Sequence, residues 1–471
     1  MAIIGRKTEQ EALKRFTESN KAEFVAVWGR RRVGKTFLIR EFFNNKFTFY
    51  HTGLANTGIE TQLNSFNSSL NNYSTFSYPK AKTWFDSFEQ LKHLLSKSRK
   101  KGKKVVFIDE MPWMDTPRSG FLAALEHFWN GWASGEKNIL LIVCGSASSW
   151  ITNKLINNHG GLHNRVTQQI RLRPFTLLEC EKYYQMQHIV MSHREMVENY
   201  MILGGIPFYL SLMQKQFSMA QNVDNLLFAE DAALKNELQN LYASLFKKAE
   251  NHIKIVEALG NKVKGLTRDE ILNVTKLPNG GSTNRVLEEL ELSGFIRRYR
   301  SYGKKIRQSL YQLIDFYTLF YFNFLKDNAF NDEHYWTNFI ENARHRAWSG
   351  YAFEQVCLAH LTQIKQKLSI LGVLTNTYSW ISNNKENGAQ IDLVIERNDK
   401  VINLCEMKYA SEEFTIDKKQ DENLRHKRAV FKEETKTRKA LHLTMITTYG
   451  IKHNQYWGNI QSDVTVNDLF K

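Results

Sequence analysis

The sequence predicts a modular α/β chain: a parallel sheet carrying a phosphate-binding loop, then a helix-prone stretch, a winged-helix module and a C-terminal α/β domain. Three observations predict it. The apolar run Phe24-Val-Ala-Val-Trp28 passes through Gly29-Arg-Arg-Arg-Val33-Gly34-Lys35-Thr36 into Phe37-Leu-Ile-Arg-Glu-Phe-Phe43, a glycine-rich loop between strand and helix. Downstream, Val105-Val-Phe-Ile-Asp109-Glu110 is a short apolar strand that ends on two carboxylates. The last quarter of the chain alternates helical and strand-like segments that carry Glu354, Asp392, Glu406 and Lys408.

In the first loop two glycines let the backbone wrap an oligophosphate, and the helix N-terminus adds partial positive charge. Gly29, Val33, Gly34, Lys35, Thr36 and Phe37 are the expected nucleotide contacts, which makes ATP and Mg2+ the implied ligands. Lys35 is expected on the β- and γ-phosphates, and Thr36 on the magnesium. Asp109 would hold the hydration shell of that ion, and Glu110 would polarise the attacking water. Arg30, Arg31 and Arg32 read as solvent or partner contacts, because the backbone does the cradling. The next apolar strand, Ile139 to Gly145, ends at Ser146, which reads either as a phosphate sensor or as part of a turn capping the following helix.

At 471 residues the chain exceeds one ordinary core, so several domains are expected. Its 64 Lys and Arg against 48 Asp and Glu give a net charge of +16, which favours a polyanionic partner such as DNA or RNA. Apolar runs such as Ile139 to Cys144 are too short to span a bilayer, so a soluble, cytoplasmic chain without a membrane partner is expected. Cys144, Cys180, Cys357 and Cys405 form no CxxC pair, which argues against a zinc knuckle and a disulfide framework and suits small core residues in a reducing compartment.

Four segments resemble the archaeal-type ATPases, a branch of the P-loop NTPases close to AAA+ and STAND proteins. They are Ile4-Gly5-Arg6-Lys-Thr-Glu9, the arginine-rich loop, the Arg165 stretch before Leu172-Arg-Pro174-Phe175, and Gly204-Gly205-Ile-Pro207. The resemblance covers about the first half of the chain, read as an ATPase core over 1–180 and a helical lid over 181–248. It implies that Gly5 and Arg6 lie beside the adenine and that Pro207 contacts nucleotide from the lid. It also implies that Arg165 is catalytic, stabilising phosphate charge in cis or from a neighbouring subunit of a homo-oligomer.

Residues 249–315 read as a winged helix. Helical periodicity begins at His252, Thr267 and Glu270 are spaced as a capping box, Ser282 to Leu292 gives a third helix, and two strand-like pieces follow. The wing gathers Arg297, Arg298, Arg300, Lys304, Lys305 and Arg307 with Tyr299 and Tyr302, which suits phosphate neutralisation beside stacking groups. Glu288, Glu289 and Glu291 on the third helix leave packing against a partner or the lid as the alternative. The aromatic run Asp315 to Leu325 opens a connector over 316–345 and reads as packing.

Glu406 and Lys408 share one face of a strand by its period of two, and both can meet Asp392. Two carboxylates suit a divalent metal, with the lysine orienting a water. This order resembles the PD-(D/E)xK nuclease superfamily, in which a helical Glu, here Glu354, precedes the Asp and the Glu-x-Lys. The resemblance implies a restriction-endonuclease-like domain over 346–471, either active or retained for binding. The whole reads as an ATP-binding and hydrolysing AAA-like chain coupled to nucleic-acid binding or cleavage. The alternatives are a nucleotide-gated switch with an inactive nuclease-like domain, and a winged-helix transcription regulator.

Overall fold

Three strands of the first sheet are apolar on both faces, the pattern of a parallel sheet covered by helices on either side. The computed structural model describes residues 2–157, 160–162, 164–246, 248–262, 264–305, 308–326, 332–339, 342–383 and 388–471. Within them, β1 (Glu23–Trp28), β2 (Phe49–Thr52), β3 (Lys104–Asp109), β4 (Ile139–Gly145) and β5 (Gln168–Arg171) form a wholly parallel sheet in the order β2-β3-β4-β1-β5. The buried strands β1, β3 and β4 are central, and the more polar β2 and β5 take the edges. Phe66, Trp84, Phe88, Phe121 and Phe128, from the helices Ile59–Asn72, Trp84–Lys97 and Phe121–Gly131, share one core with Phe24, Ala26, Val106 and Leu141 of the sheet.

Because β4 lies between β1 and β3, the C-terminal ends of all three strands meet at one edge of the sheet. Register also places β5: Gln168 is opposite Val25 and Arg171 opposite Trp28, so Leu172 follows alongside Gly29. Leu172 N–H donates to Trp28 O at 2.8 Å.

The described chain divides into two compact units, Met1–Pro174 and Phe175–Lys471. In the second, the helices Ala249–Gly260, Arg268–Thr275 and Gly281–Leu292 accompany an antiparallel sheet of β6 (Leu266–Thr267), β7 (Ile296–Tyr299) and β8 (Leu310–Leu313), ordered β6-β8-β7. The short strand β6 had no clear periodic signal. The capping box expected at Thr267 and Glu270 is present, with Thr267 Oγ1 accepting from Glu270 N–H and the Glu270 carboxylate accepting from Thr267 N–H. Arg307 lies outside the described residues.

The aromatic run forms the helix Phe316–Phe320 and a wider turn over Tyr321–Leu325. Its Phe320 and Phe324 meet Trp336 and Trp348 in edge-to-face contacts, which is a packing role.

The C-terminal sheet is mixed. β9 (Thr375–Ile381), β10 (Gln390–Arg397) and β11 (Val401–Lys408) run antiparallel, while β12 (Ala440–Thr447) and β13 (Ser462–Thr465) continue parallel to β11. The order β13-β12-β11-β10-β9 leaves β9 at an edge. Part of that edge is covered by the β7–β8 hairpin: Tyr302 N–H donates to Ser379 O at 2.8 Å, and the Tyr302 ring packs on Tyr378 and Phe431. All four cysteines are free and buried. Among the described residues no helix is long and apolar enough to cross a membrane.

Candidate functional site

The loop after β1 is shaped by its glycines. Gly29 has φ 142°, and a Cβ there would sit 2.2 Å from Leu172 O, so only glycine lets β5 approach. Gly34, at φ 86°, turns the chain into the helix Lys35–Phe42. Lys35 is buried, and its Nζ donates to the carbonyls of Gly29 (3.0 Å) and Arg30 (2.8 Å), closing the loop on itself. Burial lowers the Lys35 pKa; the nearby groups that oppose this include Cys144, Glu110 and Asp109.

Thr36 Oγ1 donates to Asp109 Oδ2 at 2.7 Å, which joins the loop to the end of β3. Burial raises the Asp109 carboxyl above its ordinary value, against the stabilising Thr36 hydrogen bond. A hydroxyl and a carboxylate side by side are the hard oxygen donors that magnesium takes, so this pair fits the ion. Glu110 has φ 45°, a left-handed conformation uncommon for a side chain of its kind. Its carboxylate accepts from Ser146 Oγ at 2.7 Å and from Ser146 N–H at 3.2 Å. Ser146 is thus placed on Glu110, and the helical turn that follows at Ser148 carries no side-chain cap.

Arg6 is buried with φ 53°, and its Nη2 is 3.5 Å from Val33 O, which sets the N-terminal segment against the loop. Gly5 O accepts from Gln10 Nε2, and Phe37 is exposed at the start of the helix. Arg165 is not brought to this cradle. It is exposed, and Thr167 just after it bonds to Glu23 and Phe24, at the opposite end of β1 from Gly29. Pro207 opens the short helix Pro207–Leu210. Ahead of it, Gly205 pairs with Phe175, whose N–H donates to Gly205 O at 2.6 Å, and a Cβ on Gly205 would meet Phe175 O at 1.9 Å.

The second constellation assembles on the C-terminal sheet. Leu393 faces Cys405 across β10 and β11, so Asp392 lies beside Glu406, and the helix Ala343–Ala359 packs its Glu354 side toward β11. Lys408 Nζ is 2.9 Å from Glu406 Oε1, and Lys427 Nζ is 2.6 Å from Glu406 Oε2. Burial raises the carboxyls of Glu354 and Asp392, and neighbouring negative charge adds to it: Asp392 and Glu406 for Glu354, Glu406 for Asp392. With both Glu406 oxygens held by ammonium groups, Asp392 and Glu406 do not fit a shared divalent ion in this arrangement. Among the described residues no three His, Cys, Asp or Glu side chains are grouped to hold one.

Lys427 was absent from the sequence expectation. A signal existed: Lys427 lies three residues after Leu424 and four before Phe431, the buried face of the helix Lys418–Thr435, and a lysine on a core stripe asks for a partner.

Residues 4–213 match the family described as an ATPase domain predominantly from Archaea. An uncharacterized ATP-binding protein of Methanocaldococcus jannaschii, MJ0423, is 51% identical over 44 residues, which are 9% of this chain and 75% of that protein. These matches place the chain among the P-loop ATPases. A second protein of the same organism, the uncharacterized MJECL04, is 24% identical over 413 residues, 86% of this chain and 87% of its own length. Among solved structures, the Walker-type ATPase paby2304 of Pyrococcus abyssi aligns with a TM-score of 0.49 at 17% identity, covering 68% of this chain and 96% of that one. The Aeropyrum pernix ORC2 protein, in its ADPNP and ADP complexes, aligns with a TM-score of 0.42 at 12% identity, covering 67% and 92%.

Proposed function

We propose that this ATPase is magnesium-dependent and that its nucleotide state controls nucleic-acid binding by the second unit. We take that unit to hold the helical lid, the winged-helix module, the aromatic connector and the nuclease-like domain. The observation that carries the hydrolytic half is the 2.7 Å bond between Thr36 and Asp109, which unites two motifs 73 residues apart at one sheet edge. Thr36 and Asp109 would hold magnesium, which supplies charge neutralisation at the phosphates. Lys35 exchanges its two carbonyl partners for phosphate oxygens, and the loop amides bind the rest of the triphosphate. Glu110, once Ser146 releases it, orients the water that attacks the γ-phosphate.

Arg165 is exposed and far along the sheet from the loop, which favours action on a neighbouring copy in a homo-oligomer. Gly5, Arg6 and Phe37 frame the base, and Pro207 belongs to the lid. The four free, buried cysteines suit a reducing cytoplasm.

The experiment is phosphate release by the Lys35→Ala and Glu110→Gln variants. Each is expected to lose about 10²-fold or more, the size of removing one preorganised transition-state group. Undiminished turnover in both variants would refute the assignment.

For the second unit the reading is binding without cutting, because both Glu406 oxygens are occupied by lysines. Cleavage is the second reading, favoured by the convergence of Glu354, Asp392 and Lys408 on Glu406. DNA and RNA incubated with magnesium or manganese separate the two. Strand scission abolished by Asp392→Ala and Lys408→Ala would establish cleavage, and substrate left intact yet shifted by the protein in a gel would establish binding without cutting.

A further inference from the structure

Within the second unit a cavity of about 870 Å³ opens between β7 and the edge of the C-terminal sheet. Lys264, Arg298 and Arg300 line one side and Thr375 to Thr377 of β9 the other, while Glu354 and Asp392 reach it from below. Lys264, Arg298 and Arg300 are all exposed, and the Arg298 guanidinium lies 6.0 Å from the centre of the Tyr311 ring on the neighbouring strand. Tyr299 shows a half-buried ring there, fixed by its hydroxyl donating to Lys264 O at 2.6 Å. Arg297 shares the Tyr299 face of β7, its guanidinium 5.4 Å from the centre of that ring, and it donates to Gln312 and to Gln355 Oε1 at 3.2 Å, tying β7 to the helix that carries Glu354.

The hairpin tip is committed elsewhere. Tyr302 is packed on Tyr378 and Phe431, and Lys304 Nζ donates to Asn383 Oδ1 at 2.7 Å. A protein that reads duplex DNA inserts a protruding helix or hairpin into a groove. Here the hairpin lies against its own C-terminal sheet, and the basic residues of β7 wall a concavity instead.

We propose that this cleft takes a single nucleic-acid strand in preference to a duplex, with Arg298, Arg300 and Lys264 on its phosphates and Tyr299 as a stacking surface. A lone strand is flexible enough to enter a concave site, and its unstacked bases expose faces to an aromatic ring. Glu354 and Asp392 line the floor of the cleft and offer polar groups there. They accept hydrogen bonds from base amino groups or sugar hydroxyls. The open edge of β9 would also suit an extended peptide, but among the lining residues the cations Lys264, Arg297, Arg298 and Arg300 outnumber the acidic Glu291, Glu354 and Asp392, which favours a polyanion. The inference rests on the nucleic-acid reading above and narrows it to one strand.

The test is fluorescence anisotropy on the full chain in EDTA with a labelled oligo(dT), a labelled oligo(rU) and a mixed-sequence duplex. At least tenfold tighter binding of either single strand than of the duplex is expected, and the tighter of the two names the sugar. The double variant R298E/R300E, keeping the wild-type melting temperature, should weaken single-strand binding at least tenfold. R298K/R300K, which retains the charges, should recover most of it, and R298A/R300A should flatten the salt slope by about 1.4, for two contacts on a single strand. Duplex bound as tightly as single strand, or single-strand binding indifferent to these arginines, overturns this inference and leaves the wider reading standing. No binding of any nucleic acid in either nucleotide state overturns both. An unstructured peptide that displaces the oligonucleotides and binds more tightly than they do also overturns it.

Discussion

Gly29 and Gly34 both bear on the phosphate loop, yet for different reasons. At Gly29 the backbone of Leu172 leaves no room for a Cβ, whereas at Gly34 the nearest atom is Phe37 Cβ at 4.0 Å and only the positive φ demands glycine. Gly29→Ala should therefore destabilise the first unit by about 1–3 kcal/mol and abolish ATP binding, because β5 must shift. Gly34→Ala should cost about 1 kcal/mol through backbone strain alone. Urea denaturation with calorimetric ATP titration measures both, and equal losses would show that Leu172 yields freely. The loop itself was legible, since its chemistry is written in eight consecutive residues. Leu172, 143 positions later, carries no local mark of its contact.

Helix capping shows the same contrast at the level of elements. The pairs Thr267/Glu270, Thr176/Glu179 and Ser192/Glu195 are local patterns, and each forms a reciprocal cap. The N-terminus of the helix Leu177–Met186 is completed from far away: Leu177 N–H donates to His360 Nε2 at 3.0 Å, while His360 Nδ1–H donates to Val356 O at 2.8 Å. That arrangement requires a neutral ring, and burial holds the His360 pKa down to about 4. The unfolded chain, with the ordinary value near 6.5, binds more protons between those limits. Stability from this group is full above about pH 6.5 and is lost as the pH falls towards 4. Unfolding of the second unit followed across that range should show the decline, and His360→Gln should flatten it at the cost of lower stability at neutral pH. A variant with the wild-type pH dependence would exonerate His360.

Over the whole chain, ligand binding supplies the measure of communication between the two units. Mg·ATP at 100 times its Kd should stabilise the nucleotide-binding unit by about 2.7 kcal/mol, and Lys35→Ala should remove the effect. Thermal unfolding with and without nucleotide reads this, and a shift in the transition of the second unit as well is the expected sign of coupling. A second transition that ignores saturating nucleotide would separate hydrolysis from the rest of the molecule. The strands β1, β3, β4, β10 and β11 were readable because each is a short run with a strand's pattern, whereas the two-residue strand β6 was not. The strand order of the C-terminal sheet and the seat of the β7–β8 hairpin on β9 were not, since pairing between distant segments leaves no imprint in either one.

That seat protects the molecule from its own kind. A sheet rim with unsatisfied amides and carbonyls invites another chain to add a strand, the first step toward insoluble polymer. By laying Tyr302 over Ser379, the hairpin blunts one end of that rim.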